Sequence, residues 1–537
     1  MTHDTDHPAT EQPGTGSFVI NAGDRIWHQV LALNAAGRFA EAMTLMDPMF
    51  APGVDPGLTA WKLRGQSMHG LGRLAEAARI FALVLQRTPN DGDSHAHLAT
   101  ALLGLNRLDQ ALLTVNRGLQ QTPGNKELLR LQMVLLWRMG RKDEALALAD
   151  RQVRDFSQEG PMWHERGIFL LEQGADKEAL ADFEMACSLM PNDARVHNNR
   201  ATALWRLGQY RASLAAVERA VALDPNHASA QHHRALLLLF LGDYASGFPA
   251  YEWRWRDPAH LARQPSLTSS PWRGELMRDA TLLIYPEQGF GDTIQFIRFL
   301  PKVAQRVGKI IFSCSGPLAP LLRQAPGIDL LWDGEPPSPV FQVHAPLMSL
   351  PALLQQTRDQ IPGVSGYLPE FSWVKPSRNR SSPLPLRIGL VWRGRATHRN
   401  DHNRSLDLAW FDPLLDLDFL TWVSLQEGAE KVLMEHPHWR DRMACPNLAD
   451  FAVTARIIQT LDLVIAVDTA VAHLAGALGC PVWVLLPFVP DWRWGPEGES
   501  TVWYRSMRLF RQPAPGDWEP VRKRLVQALN HFHIHDD

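Results

Sequence analysis

The stretch Gly289-Phe290-Gly291-Asp292 sets a carboxylate after one apolar run, Thr281 to Tyr285, and at the head of an amphipathic one. An aspartate there has two uses: it caps a helix well, and it can take the proton of an attacking hydroxyl. Gly289 and Gly291 allow a closer approach of backbone to ligand than a cap requires, which favours the base. A second constellation, Asp468-Thr469-Ala470 followed by His473, again leaves an apolar run, Leu463 to Val467. Thr469 stands where a helix N-cap belongs, and the unsatisfied N–H groups of that turn suit a phosphate or diphosphate. His473, one turn in, can add a hydrogen bond or a positive charge to a departing anion, or be a plain buried histidine.

Between these lies Trp392 to Ser405, a polar loop carrying Arg393, His398, Arg399, Asn400, Asp401, His402, Arg404 and Ser405. Arg393 and Arg404 are its candidate phosphate clamps, because a guanidinium fork meets two oxygens at once; a solvated charged face is the alternative. The two histidines and Asp401 match no standard metal-ligand spacing, and no metal site is expected. Glu427 and Glu430 follow the apolar run Thr421 to Leu425, where an acid can hold a ribose hydroxyl, and Ser424 and Gln426 line the same edge. Asp416-Leu417-Asp418 spells a metal-binding pattern but enters a strand rather than leaving one, and reads as solvent-facing. Asp491-Trp492-Arg493-Trp494, in a Pro-rich loop, suits base stacking or a staple between lobes.

The elements that position these groups alternate short apolar strands with amphipathic helices, the grammar of parallel sheets of Rossmann type. One lobe starts with the strand Thr281 to Tyr285, a helix Thr293 to Val307 and a strand Lys309 to Ser313. A Ser/Pro-rich junction, Lys375 to Pro385, precedes a second lobe whose strands are Arg387 to Trp392, Thr421 to Leu425, Leu463 to Val467 and Val482 to Leu485.

Upstream the chain repeats itself with a period of about 34 residues, the length of a tetratricopeptide unit of two antiparallel helices. Trp61, Gly65, Gly72, Ala77, Phe81 and Pro89 recur as Trp163, Gly167, Gly174, Ala179, Phe183 and Pro191, with partial copies between and after. About seven units are expected. Stacking them leaves a concave groove of the kind that receives a peptide, so a protein partner is expected there. Tyr251 to Arg256, rich in aromatic and basic residues, suits a cap between the array and the next domain. The division is then a disordered tail 1–22, a repeat domain 23–261, a linker 262–279 and lobes at 280–375 and 386–537.

Gly289 to Asp292 together with Asp468 to Leu478 resemble the paired signatures of the family containing the bacterial lipopolysaccharide heptosyltransferases, over roughly 280–530. The whole order of repeats, the Trp392–Ser405 loop, Ser424-Leu425-Gln426, Asp450-Phe451-Ala452, Asp468–Gly479 and Asp491–Trp494 is similar to repeat-containing bacterial glycosyltransferases, including those that modify flagellin. The resemblance implies a GT-B fold of two facing Rossmann-like lobes and metal-independent transfer from a nucleotide sugar, bound as substrate and not as cofactor, to a protein. It implies Asp292 as base toward the anomeric carbon, with His473 assisting departure. Read from the residues themselves, the donor and its phosphate would be held by Gly289, Gly291, Arg393, Arg404, Ser405, Ser424, Gln426, Glu427, Asp468, Thr469 and Ala470. Against the heptosyltransferases, Arg404 stands where a lysine is expected. A non-catalytic adaptor and a nucleotide-sugar epimerase are the rival readings.

The 537 residues, 45% hydrophobic and 21% charged, are ordinary globular composition spread over more than one core. A net charge of -3 offers no basic field for nucleic acid, and no apolar run approaches the ~20 residues of a membrane span. Four scattered cysteines and a polar N-terminus without an apolar segment are the composition of a cytoplasmic chain.

Overall fold

The computed structural model describes residues 22–262, 264–334, 340–362, 366–368, 371, 374, 385–398 and 400–535. The expected tail up to residue 21, residues 375–384 of the junction, and Arg399 lie outside the described residues. The chain divides into two compact units, 1–191 and 192–537.

The first unit is a run of five helix pairs: Ala22–Ala35 with Phe39–Met46, Gly57–Gly70 with Leu74–Arg87, Gly92–Gly104 with Leu108–Gln121, Lys126–Arg138 with Lys142–Asp155, and Gly160–Glu172 with Asp176–Leu189. The signature residues explain the pairing. A Cβ added at Gly65 would lie 2.8 Å from the Phe81 ring, and one at Gly167 2.7 Å from Phe183, so the glycine of one helix seats the aromatic of its partner. Between the two helices of a pair the backbone turns left-handed at one recurring position: Gly72 (φ 75), Gly140 (φ 78) and Gly174 (φ 81), with Asn106 (φ 57) in the one pair that lacks the glycine. Asp91 and Asn125 cap successive units by accepting from the N–H of Ser94 and Leu128. Trp137 is core, stacked on Phe169 at 4.4 Å.

The second unit opens with two more pairs, Ala194–Arg206 with Tyr210–Leu223 and Ala228–Phe240 with Tyr244–Tyr251. The left-handed turn returns at Gly208 (φ 74) and Gly242 (φ 89), making seven pairs among the described residues. The repeat period ends at residue 261, but the packing boundary falls at 191/192. The reason is a shared core: Phe240, Tyr244, Phe248 and Tyr251 are buried in one cluster with Phe296, Trp492 and Trp503. The cap expected at Tyr251–Arg256 is formed by Arg254, which is fully buried and holds both oxygens of Glu287 at 2.8 Å. The same guanidinium reaches Glu252 at 2.6 Å and Ser349 at 2.7 Å, and Tyr251 accepts from Gln288 at 2.8 Å.

Two parallel sheets come next, flanked by helices, as the two-lobed α/β expectation requires. The first contains β1 (Ser270–Pro271), β2 (Met277–Tyr285), β3 (Val307–Ser313), β4 (Leu330–Trp332) and β5 (Val343–Pro346) in the order β1-β5-β2-β3-β4. The expected linker 262–279 thus supplies an edge strand and the start of β2, because Trp272 is buried and Ser270–Pro271 pairs with Val343–His344. The expected helix Thr293–Val307 is broken into Phe290–Phe296, a 3₁₀ turn Ile297–Phe299 and Leu300–Ala304, with Pro301 unable to donate inside a continuous helix.

The second sheet contains β6 (Leu386–Val391), β7 (Leu420–Ser424), β8 (Met443–Ala444), β9 (Leu463–Val467), β10 (Val482–Leu486) and β11 (Met507–Arg511), ordered β11-β10-β9-β6-β7-β8. Chain order reverses between β6 and β9 in this sheet and between β2 and β5 in the other. At such switch points the loops leaving neighbouring strands diverge and open a crevice at the carboxyl ends. The turn carrying Asp292 leaves β2; the loop carrying Arg404 leaves β6; Asp468 and Thr469 leave β9.

Candidate functional site

Asp292 lies in the first turn of the helix Phe290–Phe296, and its Oδ2 accepts the N–H of Gly289 at 2.9 Å. Asp292 is thus not the N-cap itself, which is Gly289, but the third residue of the helix, reaching back to the N-cap N–H. Its other oxygen, Oδ1, accepts from Arg493, which reaches in from the loop after β10. Burial pushes the Asp292 carboxyl above its ordinary range, and the Arg493 guanidinium pulls it back. Arg493 is buried and also donates to Asp491 at 2.7 Å and to Gln295 at 2.6 Å. The Asp491–Trp494 motif therefore staples the two lobes, one of the two uses its composition suggested.

Opposite, the helix Ala470–Leu478 starts at Thr469, in extended backbone (φ -142, ψ 168). Thr469 occupies the N-cap position without making the side-chain cap; its buried hydroxyl has no hydrogen-bond partner. The two helix starts meet directly. A Cβ at Gly291 would lie 2.9 Å from the His473 ring and 3.4 Å from the Cα of Ala470, so only glycine permits this approach.

His473 is buried, its Nδ1 3.0 Å from the Tyr504 hydroxyl and its ring stacked on Trp494 at 5.2 Å. Burial, then Arg493, Arg298 and Arg404, hold its pKa well below the ordinary imidazole value. Without a bound anion these surroundings favour the neutral ring, which can act through hydrogen bonding.

Arg404 is largely buried and donates from Nη1 to the Asp468 carbonyl at 2.7 Å. Its Nε has no hydrogen-bond partner, the Asp401 carboxylate standing 3.5 Å away. Ser405 is engaged within the loop, donating to Asp401 at 2.8 Å and accepting from the Gly394 N–H at 2.9 Å. The structure thus gathers Gly291, Asp292, Arg404, Asp468, Thr469, Ala470 and His473.

A second group gathers at the β6–β7 edge. The buried Ser424 hydroxyl accepts from the Gln426 N–H at 3.2 Å, and the Gln426 side chain accepts from the Arg393 N–H at 3.0 Å. Arg393 and Glu427 are exposed. This edge lies two strand spacings, roughly 10 Å, from β9, so one extended ligand can span both groups. Asp416 and Asp418 are exposed, and among the described residues no cluster of His, Cys, Asp or Glu is arranged for a metal. Gln295 and Tyr504 carry no signal of their own in the sequence, and Asp491 and Arg493 are marked only by the Asp491–Trp494 motif.

Asp468 carries a testable strain. Burial and the neighbouring Asp491 carboxylate raise its pKa to about 6. A carboxyl raised on folding costs stability wherever it is ionised; the cost is full above about 6 and fades as pH falls toward 3.8. Asp468→Asn should therefore be more stable than wild type at about pH 7.5, with the advantage gone below about pH 4. Urea midpoints across that range check it, and a destabilised variant at neutral pH refutes it.

Comparison with known proteins bears on the repeats. Family models described as tetratricopeptide repeat match residues 69–132, 130–194 and 194–227. Protein FlbA of Caulobacter vibrioides is 26% identical over 321 residues, 53% of this chain and 52% of that protein, so the match spans about half the length of its curated relative. A thermophilic TPR protein of Thermus thermophilus aligns at 21% identity and TM-score 0.32, covering 34% of this chain and all of that one. The Cut9–Hcn1 hetero-tetramer of the APC/C aligns at 16% identity and TM-score 0.37, covering 43% of this chain and 45% of that one. With seven helix pairs among the described residues turning at a recurrent left-handed position, and tetratricopeptide-repeat models matching residues 69–227 within them, the N-terminal part of the chain is a tetratricopeptide-repeat solenoid, continued by a parallel α/β region.

Proposed function

We propose that the protein is a cytoplasmic glycosyltransferase that moves a sugar from a nucleotide-sugar donor to a protein hydroxyl, with flagellin as a candidate acceptor. The observation that carries this reading is the buried, unpartnered Thr469 hydroxyl at the start of Ala470–Leu478, set beside Arg404 and facing a carboxylate of the other lobe. A buried hydroxyl without a partner costs stability unless a ligand completes it, and helix N–H groups with a guanidinium complete a diphosphate. The nucleoside end would extend toward Ser424, Gln426 and Glu427. In the transfer step the acceptor oxygen bonds to the anomeric carbon, Asp292 takes its proton, and the nucleoside diphosphate leaves with the electron pair. Arg404 and the helix N–H groups receive the developing charge, and neutral His473 supports that side through Tyr504.

One observation favours a second reading, a non-catalytic adaptor: both oxygens of Asp292 already accept hydrogen bonds. Intact-protein mass spectrometry of secreted proteins from wild-type and deletion strains separates the two, since loss of a sugar mass requires catalysis. The phosphate site is checked by calorimetry with nucleoside diphosphates. Arg404→Ala should weaken binding by about 1.5–3 kcal/mol and Arg404→Lys by less, because lysine keeps the charge but not the fork. Unchanged affinity in Arg404→Ala would leave Arg404 as a structural brace of the Asp468 carbonyl and not a phosphate ligand.

A further inference from the structure

A cavity of about 640 Å³ within the second unit lies between the helix-to-helix turns of its two repeats and the loop after β10. Three guanidinium groups line it, Arg211, Arg358 and Arg493, against a single carboxylate, Glu497. Arg211, in the first turn of the helix Tyr210–Leu223, and Arg358, whose Nη1 lies beside Gly242, are exposed, and neither donates to or pairs with another described residue. Unpaired arginines in a concave site are anion receptors, since the fork binds carboxylate or phosphate at two points. Arg493 is different. It lines the cavity and also holds Asp292 and Asp491, which connects the cavity to the candidate site through one side chain.

We infer that this cavity binds an acidic segment of a protein partner, whose Asp or Glu side chains are taken by Arg211 and Arg358. The occupant is a peptide and not the sugar donor, because the donor's anion already has its own place at Thr469 and Arg404. Two of the cavity walls are turns of tetratricopeptide units, an architecture whose concave surfaces suit an extended chain. A hydroxyl residue next to that acidic segment would be delivered beside Arg493 and so beside Asp292. That last placement, and the exclusion of the donor as occupant, rest on the transfer reading; that the cavity takes an anion does not.

The test uses the full chain and two fluorescein-labelled peptides, Glu-Glu-Gly-Ser-Gly-Glu-Glu and Lys-Lys-Gly-Ser-Gly-Lys-Lys, followed by fluorescence anisotropy. The acidic peptide should bind and the basic one should not. The charge-reversed variant Arg211→Glu/Arg358→Glu should lose affinity for the acidic peptide by at least about tenfold while keeping wild-type circular dichroism and affinity for nucleoside diphosphate. Both substitutions are on exposed side chains, so folding is spared. Equal affinity for the two peptides, equal affinity of wild type and variant, or competitive displacement of the acidic peptide by a nucleoside diphosphate would each overturn the inference. Peptide binding that follows the expected pattern in a chain that transfers no sugar would sink the transfer reading and leave the cavity's assignment standing.

Discussion

Asp292→Asn should lower sugar transfer by about 10²–10⁴ while leaving nucleoside diphosphate affinity near wild type. The carboxylate stands on the lobe opposite Thr469 and Arg404, so its chemistry separates from donor binding. Asparagine matches its size but has one acceptor oxygen where aspartate uses two, one for the Gly289 N–H and one for Arg493. One donor must lose its partner, at a stability cost of about 1–3 kcal/mol. Arg493 retains Asp491 and Gln295, so the staple and the fold should survive. The checks are single-turnover transfer followed by intact mass, calorimetry with nucleoside diphosphate, and a urea melt. Transfer at the normal rate would place the base elsewhere; a protein that does not fold would make Asp292 a structural cap only.

The second large effect concerns where the chain can be cut. The repeat period invites truncation after residue 261, whereas the packing boundary lies at 191/192. A chain beginning at residue 192 should fold and unfold cooperatively and still bind nucleoside diphosphate. A chain beginning at 262 should not. It lacks Arg254, leaving the buried Glu287 carboxylate without its bidentate partner, a loss of about 3–5 kcal/mol. It also uncovers Trp492, Trp503 and Phe296, whose cover is Tyr244, Phe248 and Tyr251. Scanning calorimetry of the two truncations decides the matter, and equal transition temperatures would refute the shared core. Within the full chain, Arg254→Met should destabilise strongly and Arg254→Met/Glu287→Met much less, since the double change removes both charges.

The readable parts of this molecule are those whose cause is local. The 34-residue period, the glycine that admits Phe81 or Phe183, and the left-handed turn at Gly72, Gly140, Gly174, Gly208 and Gly242 are each dictated by residues within one repeat. Apolar runs ending in Gly-rich or Asp-Thr turns likewise announce strand ends, so the positions of Asp292, Arg404, Asp468 and Thr469 at strand ends are legible in the sequence. Even so, Thr469 was expected to cap and does not, because whether a hydroxyl finds its N–H depends on side-chain rotation that no residue spacing encodes.

Residue pattern was enough to specify the repeat array, the parallel α/β grammar after it and the strand ends that carry polar residues, since helix pairing and strand periodicity act over a few turns of chain. Groups far apart in sequence were brought together only by folding. It joined Arg493 to Asp292 across 201 positions and Arg254 to Glu287 across 33, and it moved the packing boundary from 261 to 191. It also lowers the pKa of His473 and raises that of Asp468. Charge state and domain limits depend on burial and on which distant groups share it, and burial is a property of the folded whole.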